Sequence, residues 1–184
     1  MNKPPLLSIV IPSLHGRTEN LRLSLARQTF KDWELIVKQG IQPAAKARNM
    51  GAFEARGEFI VFLDDDARIE RNNILLQIMD ALKKIDEKSA VGIRHKISRD
   101  ATPFQKRLAF ESFEEPRYPS VEQIAEVGWN VLGTLCFAVN RKTFLTLGGF
   151  DENLISGEDY EFSYRLTKNG GKIFTLWIVF FDIG

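Results

Sequence analysis

The sequence predicts an α/β fold, a mostly parallel central sheet with helices on both faces. Three observations carry that prediction. Apolar, β-branched runs at residues 6–11, 33–37, 59–63 and 90–93 alternate with segments of helical periodicity, the pattern of successive β-α-β units. The run Phe59-Ile60-Val61-Phe62-Leu63 is apolar throughout, as a strand buried on both faces must be. It leads directly into Asp64-Asp65-Asp66, which puts three carboxylates at the carboxyl edge of the sheet, where open α/β sheets collect ligands.

The elements follow in order. Residues 6–11 read as a central strand stopped by Pro12, with Ser13-Leu14-His15-Gly16 as the loop at its carboxyl end. Thr18 and Glu19 open a helix that reaches about Gln28, with Leu21 and Leu25 on one face. Residues 33–37 form the second strand. Pro43 suits the first turn of a helix rich in alanine, whose small side chains let it pack close to a sheet, and Arg56-Gly57 ends it. After the acids, Ile74, Leu75, Ile78, Met79, Leu82 and Ile85 recur at helical spacing. Residues 90–93 are a fourth strand. Between about 96 and 127 the rhythm breaks into turn-like and irregular sequence, which inside a compact domain marks a functional or mobile segment. Residues 134–139 are a strand, 141–147 a short helix ended by Gly148-Gly149, and Glu158-Asp159 head a helix that stops at Asn169. Residues 173–181 read as a last strand, far short of the roughly twenty apolar residues a membrane span requires.

Bulk properties narrow the function. A chain of 184 residues supports one domain with a substantial core, spanning 1–184. Its 25 basic and 24 acidic residues nearly cancel, so no long-range field gathers nucleic acid, and an anionic ligand must be held locally. Cys136 is the sole cysteine, which excludes an internal disulfide and suits a reducing compartment. The start, Met1-Asn2-Lys3-Pro4-Pro5, lacks the hydrophobic segment of a signal peptide, and a cytoplasmic protein is expected, with contact at the inner membrane face and self-association left open.

Two acid clusters stand out. Adjacent like charges repel, so Asp64, Asp65 and Asp66 call for a cation, most simply a divalent metal on carboxylate oxygens. The plainer account is a solvated turn capping the next helix. Glu158 and Asp159 likewise have a plain account, as acids stabilising the start of their own helix.

The combination resembles glycosyltransferase family 2. Ser8-Ile9-Val10-Ile11-Pro12-Ser13 is similar to that family's opening strand, and Leu25-Ala26-Arg27-Gln28-Thr29-Phe30 with Trp33-Glu34-Leu35-Ile36-Val37 to its first helix and second strand. Ala47-Arg48-Asn49-Met50-Gly51 resembles the Ala-Arg-Asn-x-Gly segment near the donor nucleotide. Glu58 to Asp66 resembles the strand bearing the D-x-D motif, and Gly148-Gly149-Phe150-Asp151-Glu152 with Gly157-Glu158-Asp159 completes the series over nearly the whole chain. The resemblance implies a GT-A fold, with a nucleotide-sugar-binding half over about 1–95 and an acceptor-binding half over about 96–184. It implies an inverting, metal-dependent transfer from a nucleoside-diphosphate sugar, UDP-linked sooner than GDP-linked, to a hydroxyl of a glycan or lipid-linked acceptor in polysaccharide, glycolipid or envelope glycan synthesis.

The roles it implies are specific. Asp159 is the base, with Glu158 beside it as orienting residue or fallback; Asp66, with Asp64, holds Mg2+ or Mn2+; Pro12, Ser13, Arg48, Asn49, Asp64, Asp65 and Gly133 contact the donor. Lys46 and His15 are weaker candidates near the nucleotide, Trp129 lies beside Gly133 as a candidate pocket wall, and His95 has no assigned partner. Two departures bear on this. Relatives carry aspartates after the second strand where this chain has Val37-Lys38-Gln39-Gly40-Ile41, and relatives often continue to a metal-binding histidine past the last strand. A domain that binds a nucleotide-sugar or a partner without turnover is the rival reading. Nucleotidyl transfer is a second rival, disfavoured because no Gly-rich, Lys-containing phosphate loop follows the first strand.

Overall fold

The computed structural model describes residues 3–69, 71–93, 96–97, 124–126, 136–176 and 181–183. The first half is the expected β-α-β series: β1 (Leu7–Ser13), α1 (Glu19–Ala26), β2 (Trp33–Gln39), α2 (Ala44–Glu54) and β3 (Phe59–Leu63). Then come β4 (Ala67–Ile69), α3 (Ile74–Leu82), β5 (Ala90–Ile93), β6 (Lys96–Ile97), β7 (Ile124–Glu126), β8 (Cys136–Asn140), α4 (Arg141–Thr146), α5 (Glu158–Lys168), β9 (Ile173–Leu176) and β10 (Phe181–Ile183).

Seven strands form one sheet in the order β2-β1-β3-β8-β5-β9-β7. β1 pairs parallel with both β2 and β3, and β5 parallel with β9, while β8 lies antiparallel between β3 and β5 and β7 antiparallel beside β9. Five of the seven strands therefore point one way, as the mostly parallel expectation requires. A second sheet of three short strands has the order β4-β10-β6.

The period of two along each strand divides the core between the two faces of the main sheet. Leu7, Ile9, Ile11, Val61, Leu63, Cys136 and Ala138 face α1 and α3, meeting Leu21, Leu25, Ile74 and Ile78. Val10, Ile60, Phe62, Phe137 and Val139 face α2, α4 and α5, meeting Ala45, Ala52, Phe144, Phe162 and Leu166. The alanine-rich α2 packs as its composition suggested, with Gly51 directly against Val10. On that second face Phe150 sits among four other rings, its centroid 5.1 Å from Phe144, 5.4 Å from Phe62 and Phe162, and 5.7 Å from Phe137.

β2 is an edge strand of the described sheet, which explains its half-buried residues and its interleaved Glu34 and Lys38. Glu34 ties the edge to the interior. It accepts from Ser8 Oγ at 2.7 Å, from the Arg56 backbone N–H at 2.7 Å and from Arg56 Nε at 2.8 Å. Burial works to raise its pKa, but these hydrogen bonds and the Arg56 charge outweigh it and hold the carboxyl below its ordinary value. Ser8 Oγ in turn accepts from Gly57 N–H at 2.8 Å. A Cβ on Gly57 would lie 2.7 Å from the backbone nitrogen of Ser8, which cannot move without displacing β1. Gly57→Ala is accordingly expected to cost about 1–3 kcal/mol as an overpacked contact, read as a lower urea midpoint with unchanged slope.

The plainer account of the acids fails and two expectations are corrected. The acids do not cap the next helix: β4 follows them, and α3 starts only at Ile74 after Asn73. The run 173–181 is not a single strand, since β9 belongs to the main sheet and β10 to the small one. Pro43 flanks α2 in extended conformation (φ −67°, ψ 170°) rather than forming its first turn. The expectations placed on Trp129, Gly133 and His95 fall outside the described residues.

Candidate active site

Because β1 and β3 are parallel neighbours, their carboxyl ends lie at one edge of the sheet and present Ser13 and Asp64–Asp66 together. Ser13, buried, donates from Oγ to Asp65 Oδ2 at 2.5 Å and accepts from Gly16 N–H at 2.9 Å. One hydroxyl thus fixes both the loop after β1 and the middle aspartate. α2 leans over the same edge and sends Arg48 inward, where it is 4% exposed.

Arg48 joins the two acid clusters. One terminal nitrogen donates to Asp64 Oδ1 at 2.7 Å and the other to Glu158 Oε1 at 2.8 Å. Residues distant in sequence, at the end of β3 and the start of α5, therefore lie on either side of a single guanidinium. Phe150 stands behind it, its ring centroid 6.0 Å from the guanidinium carbon. Arg48 Nε is buried with no hydrogen-bond partner among the described residues. A cleft of about 350 Å³ opens in front, walled by Pro12 and Ser13, Ile41 and Gln42, Arg48, and the three aspartates.

The three aspartates have different surroundings. Asp64 is pushed above its ordinary carboxylate range, first by burial and then by the charges of Asp66 and Asp65, against the opposing pull of Arg48. Asp65 is fixed by Ser13, and Asp66 is the exposed one. Behind them Cys136, opposite Leu63 on β8, is fully buried, and burial together with the Asp64 charge pushes its thiol far up, so it is a packing residue.

The second cluster also divides. Glu158 is 8% exposed and its carboxylate is paired with Arg48, away from solvent. Asp159 is half-buried in the first turn of α5, after Gly157 in the left-handed region (φ 83°), and its Oδ1 accepts from Tyr160 N–H at 2.9 Å.

Other expected donor contacts are placed as follows. Pro12 and Ser13 line the cleft. His15 and Lys46 are exposed, as a loop and a solvated helix face predict. Asn49 departs from expectation: its side chain turns to the backbone of Phe150 and to Glu152 instead of to the cleft. A hollow of about 410 Å³ on that side, between α2 and α4, has apolar walls at Met50, Phe53 and Leu145 and holds no other predicted site residue. Ile41 and Gln42 were missed as cleft walls because nothing in a short Gly-flanked connection signals which way its side chains turn.

The donor set suits Mg2+ or Mn2+, since it consists of carboxylate oxygens. Asp64 departs from its expected share in such a site because Arg48 holds one of its oxygens. Asp66, exposed at the cleft, carries no such tie to Arg48. Among the described residues no three acids, histidines or cysteines form a ready cage. Such an arrangement fits an ion of the kind held by one or two carboxylates and completed by substrate phosphates and water.

Comparison with known proteins places the fold and the family. The sequence model of glycosyl transferase family 2 matches residues 26–146. An uncharacterized glycosyltransferase of Haemophilus influenzae is 28% identical over 196 residues, covering 89% of this chain and 62% of the relative. Among solved structures, TarS of S. aureus in complex with UDP superposes with a TM-score of 0.71 at 19% identity, covering 96% of this chain and 59% of that one. A mannosyltransferase from Pyrobaculum calidifontis in complex with GDP-Man and Mn2+ superposes with a TM-score of 0.71 at 16% identity, covering 98% of this chain and 57% of that one. The chain therefore spans about three-fifths of the length of these proteins. No described helix is long and apolar enough to cross a membrane. With the family model matching well over half of its length on a GT-A fold, the chain belongs to glycosyl transferase family 2.

Proposed function

We propose that the chain is the catalytic core of an inverting glycosyltransferase that moves a sugar from a nucleoside-diphosphate donor to an acceptor hydroxyl. The observation that carries this reading is the Arg48 bridge, which brings the aspartates beside the nucleotide-sized cleft within one guanidinium of the helix turn bearing Asp159. Pro12, Ser13, Ile41 and Gln42 wall the space for the nucleoside. Asp64 and Asp65 are held rigidly and face the ribose and diphosphate, and Asp66 is the ligand for Mg2+ or Mn2+, which when bound neutralises charge on the departing diphosphate. Asp159 accepts the proton of the acceptor hydroxyl as its oxygen bonds to the anomeric carbon and the bond to the diphosphate breaks. One displacement from the face opposite the leaving group inverts the centre. The acceptor is a glycan or a lipid-linked sugar, and a UDP-sugar is the first donor to test, with GDP-sugars beside it.

The test is a thermal shift with UDP and GDP, with and without Mn2+. At a hundredfold excess over Kd the cognate nucleotide is expected to add about 2.7 kcal/mol, a rise of about 5–10 °C in Tm for a domain of this size. Asp66→Ala is expected to remove the Mn2+-dependent part of that rise. A chain indifferent to every nucleotide would refute the transferase reading, while binding without release of nucleoside diphosphate from UDP-GlcNAc, GDP-mannose or related donors would favour the non-catalytic rival.

A further inference from the structure

Arg48 and Asn49 are consecutive on α2 yet face different partners. Asn49 Nδ2 donates to the Phe150 carbonyl at 2.9 Å and to Glu152 Oε1 at 3.0 Å, and its Oδ1 accepts from Phe150 N–H at 2.9 Å. Both backbone groups of Phe150 are thus held by one carboxamide. The loop there is close-fitting: Gly149 has φ 71°, and a Cβ on it would lie 2.6 Å from Asn49 Oδ1. From the other side the loop is held by α5, where Arg165 donates to the carbonyls of Leu147 and of Gly149, the latter at 2.6 Å, while Glu161 pairs with its guanidinium. Arg165 lies two turns beyond Glu158 on the same helix.

α2 and α5 are therefore joined twice. One tie is direct, Arg48 to Glu158; the other runs from Asn49 through the Gly149-Phe150 backbone to Arg165. The second supports the first, because the Phe150 ring that Asn49 places is the one behind the Arg48 guanidinium. We propose that Asn49 is a positioning residue: by pinning Phe150 it fixes the spacing between the donor-side aspartates and the helix that carries Asp159, without touching the donor. This rests on the transferase reading above, with Asp159 as base.

The test uses Asn49→Ala and the isosteric Asn49→Asp, which keeps the acceptor for Phe150 N–H but turns an acceptor toward the Phe150 carbonyl and Glu152. Turnover is read as nucleoside diphosphate released from the donor identified above, and nucleotide affinity as the Tm rise with UDP or GDP and Mn2+. Both variants are expected to lose about ten- to hundredfold in kcat, the scale of a displacement near 1 Å, with donor KM and the nucleotide shift unchanged. Unchanged kcat, or affinity falling in step with kcat, would overturn the proposal, the latter by putting Asn49 on the donor. A wild-type chain that binds no nucleotide would instead defeat the transferase reading. The tie itself is then still decided by amide exchange in Asn49→Asp: protection should fall both at residues 148–151 and in the first turn of α5, and a change confined to the loop would overturn it.

Discussion

Asp159→Asn is expected to lower turnover by about 10²–10⁴-fold, the range spanned by one general base, while the nucleotide-dependent rise in Tm stays as in the wild type. The substitution is nearly isosteric. An asparagine oxygen still accepts from Tyr160 N–H, the 2.9 Å contact that Asp159 Oδ1 makes now, so the first turn of α5 keeps its shape. What is removed is the carboxylate's charge and with it the ability to take a proton, the charge at a helix start being worth about 0.3–1 kcal/mol. Glu158 cannot substitute, because its carboxylate is buried against Arg48 at 2.8 Å, and moving it would strip the guanidinium of one of its two partners. The barrier therefore rises by about 3–5 kcal/mol with no compensating route. Glu158→Gln should behave differently, losing stability along with activity, since it unbalances a buried ion pair. Steady-state release of nucleoside diphosphate and the thermal shift, measured on both variants, separate the two roles. Turnover that survives in Asp159→Asn and vanishes in Glu158→Gln would exchange them.

The strands that the site depends on were legible because they are buried on both faces. β3 and β5 occupy the residues their apolar runs indicated, and α5 begins at the predicted Glu158. β4, β6 and β7 were not legible. Strands of two or three residues have no period to read, and β4 exists only because β10 pairs with it from the far end of the chain. The same limit hid the break between β9 and β10, since a continuous apolar run does not mark where a chain leaves one sheet for another. Within the site, the identity of the acids was legible and their division of labour was not. Three aspartates in a row look alike in sequence; Ser13, Arg48 and solvent make them different. Arg48 lines the cleft, but its tie to Glu158 was hidden by a separation of 110 positions, and the tie of Asn49 to Phe150 by one of 101.

Arg48→Met is expected to destabilise the fold by about 3–5 kcal/mol at neutral pH, the cost of removing one partner from a buried charge network. Methionine fills most of the space beside Phe150, so the loss is electrostatic. Asp64 and Glu158, with side chains 29% and 11% exposed, would be left without the cation between them. The pH dependence follows from Asp64. Its folded-state pKa already lies above its ordinary 3.8 because burial outweighs the pull of Arg48, and without that pull it rises further. A carboxyl whose folded pKa is raised favours the folded state when protonated, and that contribution is lost as pH climbs through the folded value. The deficit of Arg48→Met relative to the wild type should thus be largest near neutrality and shrink as pH falls toward the ordinary carboxylate range. Urea midpoints for both proteins from neutrality down to the ordinary carboxylate range give the measurement. A deficit that does not change with pH over that range would mean that the charge of Asp64 is not what Arg48 offsets. Arg48→Lys should fall between the two, because an ammonium keeps the charge but lacks the fork that reaches Asp64 and Glu158 at once.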